Sequence, residues 1–186
     1  MVRIGERAPV FRAPALVEGT LHYIESRTFS GQWVVLCFVP SLRPLEAMFL
    51  NQQCASEAMA QKGTSVLAVG PDPGFLHRSW IPHLGDLRIV LLADPLQRLH
   101  RSYDVAIRNG MPRCCSFVID PDGVLRFRLE HDLTPRGVSW LAESLTASRS
   151  SVFVTSNSSK GVRVCGKAFA PVSRAFWLSV TVAGFI

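Results

Sequence analysis

The stretch that most constrains the fold is Trp33-Val-Val-Leu-Cys-Phe-Val39, an unbroken apolar run of strand length set between Gly31 and Pro40. A strand with one wet face alternates apolar and polar residues; a continuous run does not, and is expected at the centre of a sheet covered on both sides. Pro44 then suits a first helical turn, where its missing N–H leaves no bond unmade. Leu45, Met48, Phe49, Ala55 and Met59 recur behind it at near-helical spacing, with Gly63 as the stop. Thr64-Ser-Val-Leu-Ala-Val69 reads as a second strand. Parallel neighbours need a helical crossover of this kind, so residues 33–69 are predicted to form a β-α-β unit.

The rest of the chain continues the alternation. Pro71, Pro73 and Gly74 mark a loop, Phe75 to Trp80 a short helix ended near Pro82, and Leu87 to Leu92 a further strand. Asp94-Pro95 has the form of an N-cap followed by a first-turn proline, with Leu96, Leu99 and Tyr103 as one helical stripe. Ser116 to Asp120, the turn Pro121-Asp-Gly123 and Val124 to Arg128 read as a hairpin, and a last helix is expected over Pro135 to Leu145. The fold class is therefore α/β, a central mixed sheet flanked by helices.

At 186 residues and 48% hydrophobic, the chain supports one substantial core. After Ala147 serines become frequent and periodicity fades, which predicts a domain over residues 1–146 and a Ser-rich basic tail, disordered in part, over 147–186. The formal charge of +6 is concentrated there: every Asp and Glu lies at or before Glu143, whereas Arg149, Lys160, Arg163, Lys167 and Arg174 lie beyond it. These bases are spread singly, with no aromatic-studded basic cluster or nucleic-acid motif, so no nucleic-acid partner is expected. The start MVRIGERAPVFRAPAL lacks the basic, then apolar form of a secretory signal, and the apolar run Ala175 to Ile186 is too short to span a bilayer. A cytoplasmic protein without a membrane segment is expected. Five cysteines, Cys37, Cys54, Cys114, Cys115 and Cys165, make an odd number without disulfide or metal-ligand spacing and fit reduced thiols. No phosphate loop or nucleophile elbow is present, and neither a cofactor nor a metal is expected.

Several stretches, in order, resemble the peroxiredoxins, the thioredoxin-fold thiol peroxidases also called alkyl hydroperoxide reductase C or thiol-specific antioxidant proteins. They are IGERAPVF, GQWVVLCFVP, FLHRSW, LLADPLQRLHRSYDV and SFVIDPDGVLR, within roughly residues 4–145. The resemblance implies a thioredoxin-like peroxiredoxin fold and thiol-dependent reduction of hydrogen peroxide and alkyl hydroperoxides. It also implies a homodimer or larger homo-oligomer and, for an active member, a thioredoxin-like reductant. The family signature runs Pro, three residues, Thr or Ser, two residues, then the peroxidatic Cys at a helix start. A helix N-terminus and a nearby Arg favour the thiolate there, while N–H groups and the hydroxyl orient the peroxide.

Pro40 matches the signature proline, but Pro44 then occupies the Thr/Ser position and Ala47 the peroxidatic one. Alanine offers no nucleophile, and proline has neither a hydroxyl nor an N–H. Both chemical roles are vacant. The family's arginine, three residues before the Phe of the FVID-like strand, is replaced by Cys114, with Arg113 one place earlier and so aimed at the other face of a regular strand. Cys54, seven residues past Ala47, lies about two helical turns deeper. Cys165, within VRVCGKAF, resembles the C-terminal resolving-cysteine segment, with Gly166 where proline is usual. Two expectations follow: a peroxiredoxin-like protein without ordinary peroxidase activity that binds or scaffolds, or a divergent peroxidase using Cys165 or Cys54. Neighbouring Cys114 and Cys115 point to opposite faces and are no redox pair. His77 and Trp80 suit packing, and His100 and His131 are expected at the surface.

Overall fold

The computed structural model describes residues 2–17, 20–41, 63–71, 88–109, 111–131 and 163–165. The expected helices after Pro44, over 75–80 and over 135–145 lie outside these residues, as do Pro44, Ala47, Cys54, His77 and Trp80.

Ten strands occur among the described residues: β1 Arg12–Val17, β2 Thr20–Glu25, β3 Trp33–Phe38, β4 Thr64–Gly70, β5 Val90–Ala93, β6 Ile107–Arg108, β7 Met111–Pro112, β8 Cys115–Ile119, β9 Leu125–Glu130 and β10 Arg163–Cys165. Eight form one sheet in the order β10-β9-β8-β3-β4-β5-β1-β2, and β6 and β7 make a small separate pair. β3, β4 and β5 run parallel, and every other neighbour in the large sheet is antiparallel. The apolar run is thus the core of a mixed sheet. Trp33 is half-buried, and Val34 to Val39 are all buried.

Pleating sorts this sheet into two faces. Val34, Leu36 and Phe38 join Leu67 and Val69 of β4, Leu92 of β5 and Phe117 and Ile119 of β8 in one apolar cluster, closed by Phe11, Leu99, Tyr103 and Val105. The intervening residues Val35, Cys37, Val66, Ala68, Leu91 and Val118 are buried as well. Burial on both faces is why no polar residue interrupts β3.

The β8–β9 hairpin forms as expected. Asp120 Oδ1 accepts the N–H groups of Asp122 and Val124 at 3.0 and 2.8 Å, its Oδ2 accepts Arg126 Nε at 2.6 Å, and Gly123 takes the left-handed φ of 76° that the turn requires. A register shift falls between Val118 and Ile119.

Four sequence expectations need correction. The strand expected over 87–92 is β5, Val90–Ala93. The helix behind Asp94-Pro95 starts later, at Arg98–Ser102, because Gln97 sits in the left-handed region at φ 51° and its N–H closes a turn onto Asp94 O. Leu96 is consequently 59% exposed and off the apolar stripe, whereas Leu99 and Tyr103 are buried. His100 and His131 are buried, not at the surface. The β1–β2 hairpin, formed by RAPALV and TLHYIE, was not anticipated, since a proline stands within the first strand and the adjacent Tyr23 and Ile24 break the alternation of the second.

Candidate functional site

The C-terminal ends of β3, β4 and β5 meet at one end of the sheet, the usual place for a site in an open parallel arrangement. Val39 N–H donates to Val69 O and Asp94 N–H to Gly70 O, both at 2.9 Å, tying the three strand ends together. Half-buried Pro40 follows directly. β8 starts at this same end, with Cys115 paired to Phe38, so Pro40 and Arg113 stand at one rim.

Beneath Pro40 lies an aromatic cluster. Phe38 meets His100 edge-on at 4.9 Å between ring centres, and Phe117 at 5.6 Å; Tyr103 and Phe117 are 5.1 Å apart. Tyr103 donates its hydroxyl to Pro9 O at 2.9 Å, and burial raises its pKa. His100 is fully buried, and its Nδ1 lies 2.8 Å from Asp94 Oδ2, which also accepts the His100 N–H at 2.9 Å; Asp94 Oδ1 accepts the Arg98 N–H at 2.9 Å. Burial pushes the Asp94 carboxyl upward. The His100 side-chain and backbone hydrogen bonds, the His100 charge and the Arg98 N–H together outweigh it and hold that carboxyl below its ordinary value. His100 Nε2 has no hydrogen-bond partner among the described residues.

Two thiols here, Cys37 and Cys115, are poor nucleophiles. Cys37, Cys114 and Cys115 are buried. Burial pushes Cys37 up to about 11, against a smaller opposing effect from its hydrogen bond with Ser116. Burial likewise pushes Cys115 up to about 12, though the nearby Arg128 guanidinium pulls the other way. A thiolate is needed for attack, and neither residue supplies one near neutral pH. Arg128 donates to Asp104 O and Glu130 Oε1, and its guanidinium lies 5.6 Å from the Phe117 ring centre. Ser116 Oγ lies 2.8 Å from His131 Nε2, both buried.

Of the sequence-selected residues, the structure brings Pro40 and Arg113 to one end of the sheet. Arg113 is exposed, its N–H bonded to Ala106 O at 2.9 Å, while Cys114, at the position where the resemblance puts arginine, is buried. The register shift in the β8–β9 pair is at the far end of β8 and does not re-aim Arg113. Cys165 lies on β10, opposite Arg128 in the ladder with β9. Pro44, Ala47 and Cys54 lie outside the described residues. The buried Asp94–His100 and Ser116–His131 pairs escaped sequence reading, because polar residues beside short apolar elements look like surface positions. Among the described residues no group of three or more His, Cys, Asp or Glu is arranged to hold a metal ion.

The AhpC/TSA family matches residues 4–128. The chain belongs to this family, the peroxiredoxins. Similar proteins include peroxiredoxin-2 of Macaca fascicularis, 36% identical over 142 residues that cover 70% of this chain and 71% of the relative. Thioredoxin peroxidase of Echinococcus granulosus is 31% identical over 141 residues, covering 70% of this chain and 72% of its own. The crystal structure of Enterococcus faecalis AhpC superposes with a TM-score of 0.67 at 24% identity, over 80% of this chain and 93% of that one, and so shares the thioredoxin-like peroxiredoxin fold.

Proposed function

We propose that this peroxiredoxin lacks ordinary peroxidase activity and acts by binding, as an oligomer partner or a scaffold. The observation that carries this reading is the pair Pro44 and Ala47 in the signature that begins at Pro40, which removes the hydroxyl and the nucleophile together. Support comes from the thiols around the site: Cys37 and Cys115 are buried and their pKa values raised, so neither substitutes for the missing cysteine. The unbridged Cys37 and Cys115 also suit the reducing cytoplasm.

The experiment is peroxide consumption with a dithiol reductant, comparing wild type with Cys54→Ser and Cys165→Ser. Background rates in all three are expected, since loss of a catalytic nucleophile typically costs on the order of a millionfold. Turnover abolished by either substitution would overturn the reading, identify a relocated thiol and bring back a thioredoxin-like reductant as the electron source.

A further inference from the structure

β9 gives one side of its backbone to β8 and the other to strands from the two ends of the chain. His131 N–H donates to Cys114 O at 3.2 Å, and these two residues continue the register in which Cys115 stands opposite Glu130. Antiparallel bonding alternates, so the N–H and C=O groups of Leu129 and His131 face β8, and those of Arg128 and Glu130 face away from it. That outward side is taken by β10, with Cys165 opposite Arg128, Val164 opposite Leu129 and Arg163 opposite Glu130. Arg128 and Glu130 thus exchange their backbone groups with Cys165 and Arg163. Nearer the turn, Gly5 N–H donates to Leu125 O at 2.8 Å and Leu125 N–H to Glu6 O at 2.9 Å, so residues of the N-terminal segment fill the place before β10.

β10 spans only three residues, Arg163–Cys165. A pairing of that length is marginal by itself and is sustained by the covalent tether, which holds the strand at a local concentration of up to roughly millimolar. The positions that receive it on β9 are chemically defined. Leu129 is fully buried. Arg128 and Glu130 are half-buried and paired at 3.2 Å, and Arg128 is fixed further by Asp104 O at 3.1 Å and by the Phe117 ring. β10 places a basic residue opposite Glu130 and a β-branched apolar one opposite Leu129. Opposite charges and apolar pairs are the favourable cross-strand combinations, and like charges the unfavourable ones.

We propose that the outward side of β9 is a docking edge for an extended segment of a partner protein, basic at one position and β-branched apolar at the next, and that β10 is the chain's own stand-in for it. The inference rests on the binding reading above and names the surface and the kind of partner it takes. Strand addition draws affinity from main-chain bonds, which any extended segment supplies, and selectivity from the side chains at alternate positions. Here the selecting group is Glu130, which favours a base opposite it and disfavours an acid. The partner segment enters antiparallel to β9, as β10 does, and takes over the outward groups of Arg128 and Glu130. Its competitor is short, so displacement requires only that the incoming strand outbid the tether. β10 thereby holds the edge closed to weak or acidic segments and yields it to a matching one.

Peptide binding and NMR hydrogen exchange on the full chain test this. The probe is a labelled peptide of residues 160–168 carrying Cys165→Ser. In the chain, Arg163→Pro removes the N–H directed at Glu130 O and disables the internal competitor. The peptide is expected to bind that variant about tenfold or more tightly than wild type. A peptide carrying Arg163→Glu as well should bind it several-fold more weakly. The Arg128 and Glu130 amides should lose exchange protection in the Arg163→Pro chain and regain it with excess peptide, while the Leu129 amide, bonded to β8, stays protected throughout and reports an intact sheet. Equal peptide affinity for the two chains, absence of binding to the variant, or unchanged protection at Arg128 and Glu130 would each overturn the inference. Wild-type protection that rises with protein concentration would overturn it too, because β10 would then come from a second copy. Peroxide turnover is read separately: turnover above background defeats the proposed function, whereas failed peptide binding at background turnover defeats only the β9 docking edge.

Discussion

Asp94 accepts three hydrogen bonds, from Arg98 N–H, His100 N–H and His100 Nδ1, and so caps a helix and orients a buried ring at once. Its carboxyl is held below the ordinary value, so its contribution to stability is present above the unfolded pKa of about 3.9 and fades as pH falls through the lower folded value. Asp94→Asn is expected to cost about 1–3 kcal/mol at neutral pH, with the gap to wild type closing at strongly acidic pH. Urea unfolding at several pH values checks this; a gap constant with pH would show that the charge is not involved. Burial governs the thiols in the same way. Cys37 and Cys115, with pKa values of about 11 and 12, should resist alkylation at pH 8 in the native chain and label in urea, as read by peptide mass mapping. Rapid native labelling of either would reopen it as a nucleophile.

At the scale of elements, the β8–β9 hairpin and the strand–turn–helix after β5 show why similar sequence signals had different outcomes. Pro121-Asp-Gly123 was legible because turn chemistry is local: Asp120 binds its own turn, and Gly123 alone relieves the positive φ. Asp120→Ala should therefore cost about 2 kcal/mol, by leaving turn N–H groups and Arg126 without their acceptor, and chemical denaturation would measure it. A loss below experimental error would mean that water replaces the carboxylate fully. Asp94-Pro95 carries an equally plain local signal, yet the helix begins beyond Gln97. Gln97 takes a left-handed turn before that helix, and His100 within it packs its ring on Phe38 of a distant strand, a contact that no local pattern reports.

For the whole molecule, the same separation decides what activity the fold can carry. Ala47→Cys should restore a thiol but little turnover, and adding Pro44→Thr should raise the peroxide rate about a hundredfold, the usual worth of an oriented hydrogen-bond donor to developing charge. Stopped-flow peroxide consumption would measure both; equal rates would show that the hydroxyl position is dispensable. The sequence by itself determined the parallel pair β3 and β4, the β8–β9 hairpin and the family. Apolar runs, turn residues and motif spacing are local along the chain, and each can be read where it stands. Only the tertiary structure decided that His100 and His131 are buried beside acceptors, that Arg113 stays exposed while Cys114 is enclosed, and that β9 pairs with residues 163–165 and bonds residues 5 and 6 while β2, among the described strands, pairs with β1. These depend on which distant strands become neighbours. Burial and edge pairing are properties of that arrangement and leave no mark on a residue's own surroundings in sequence.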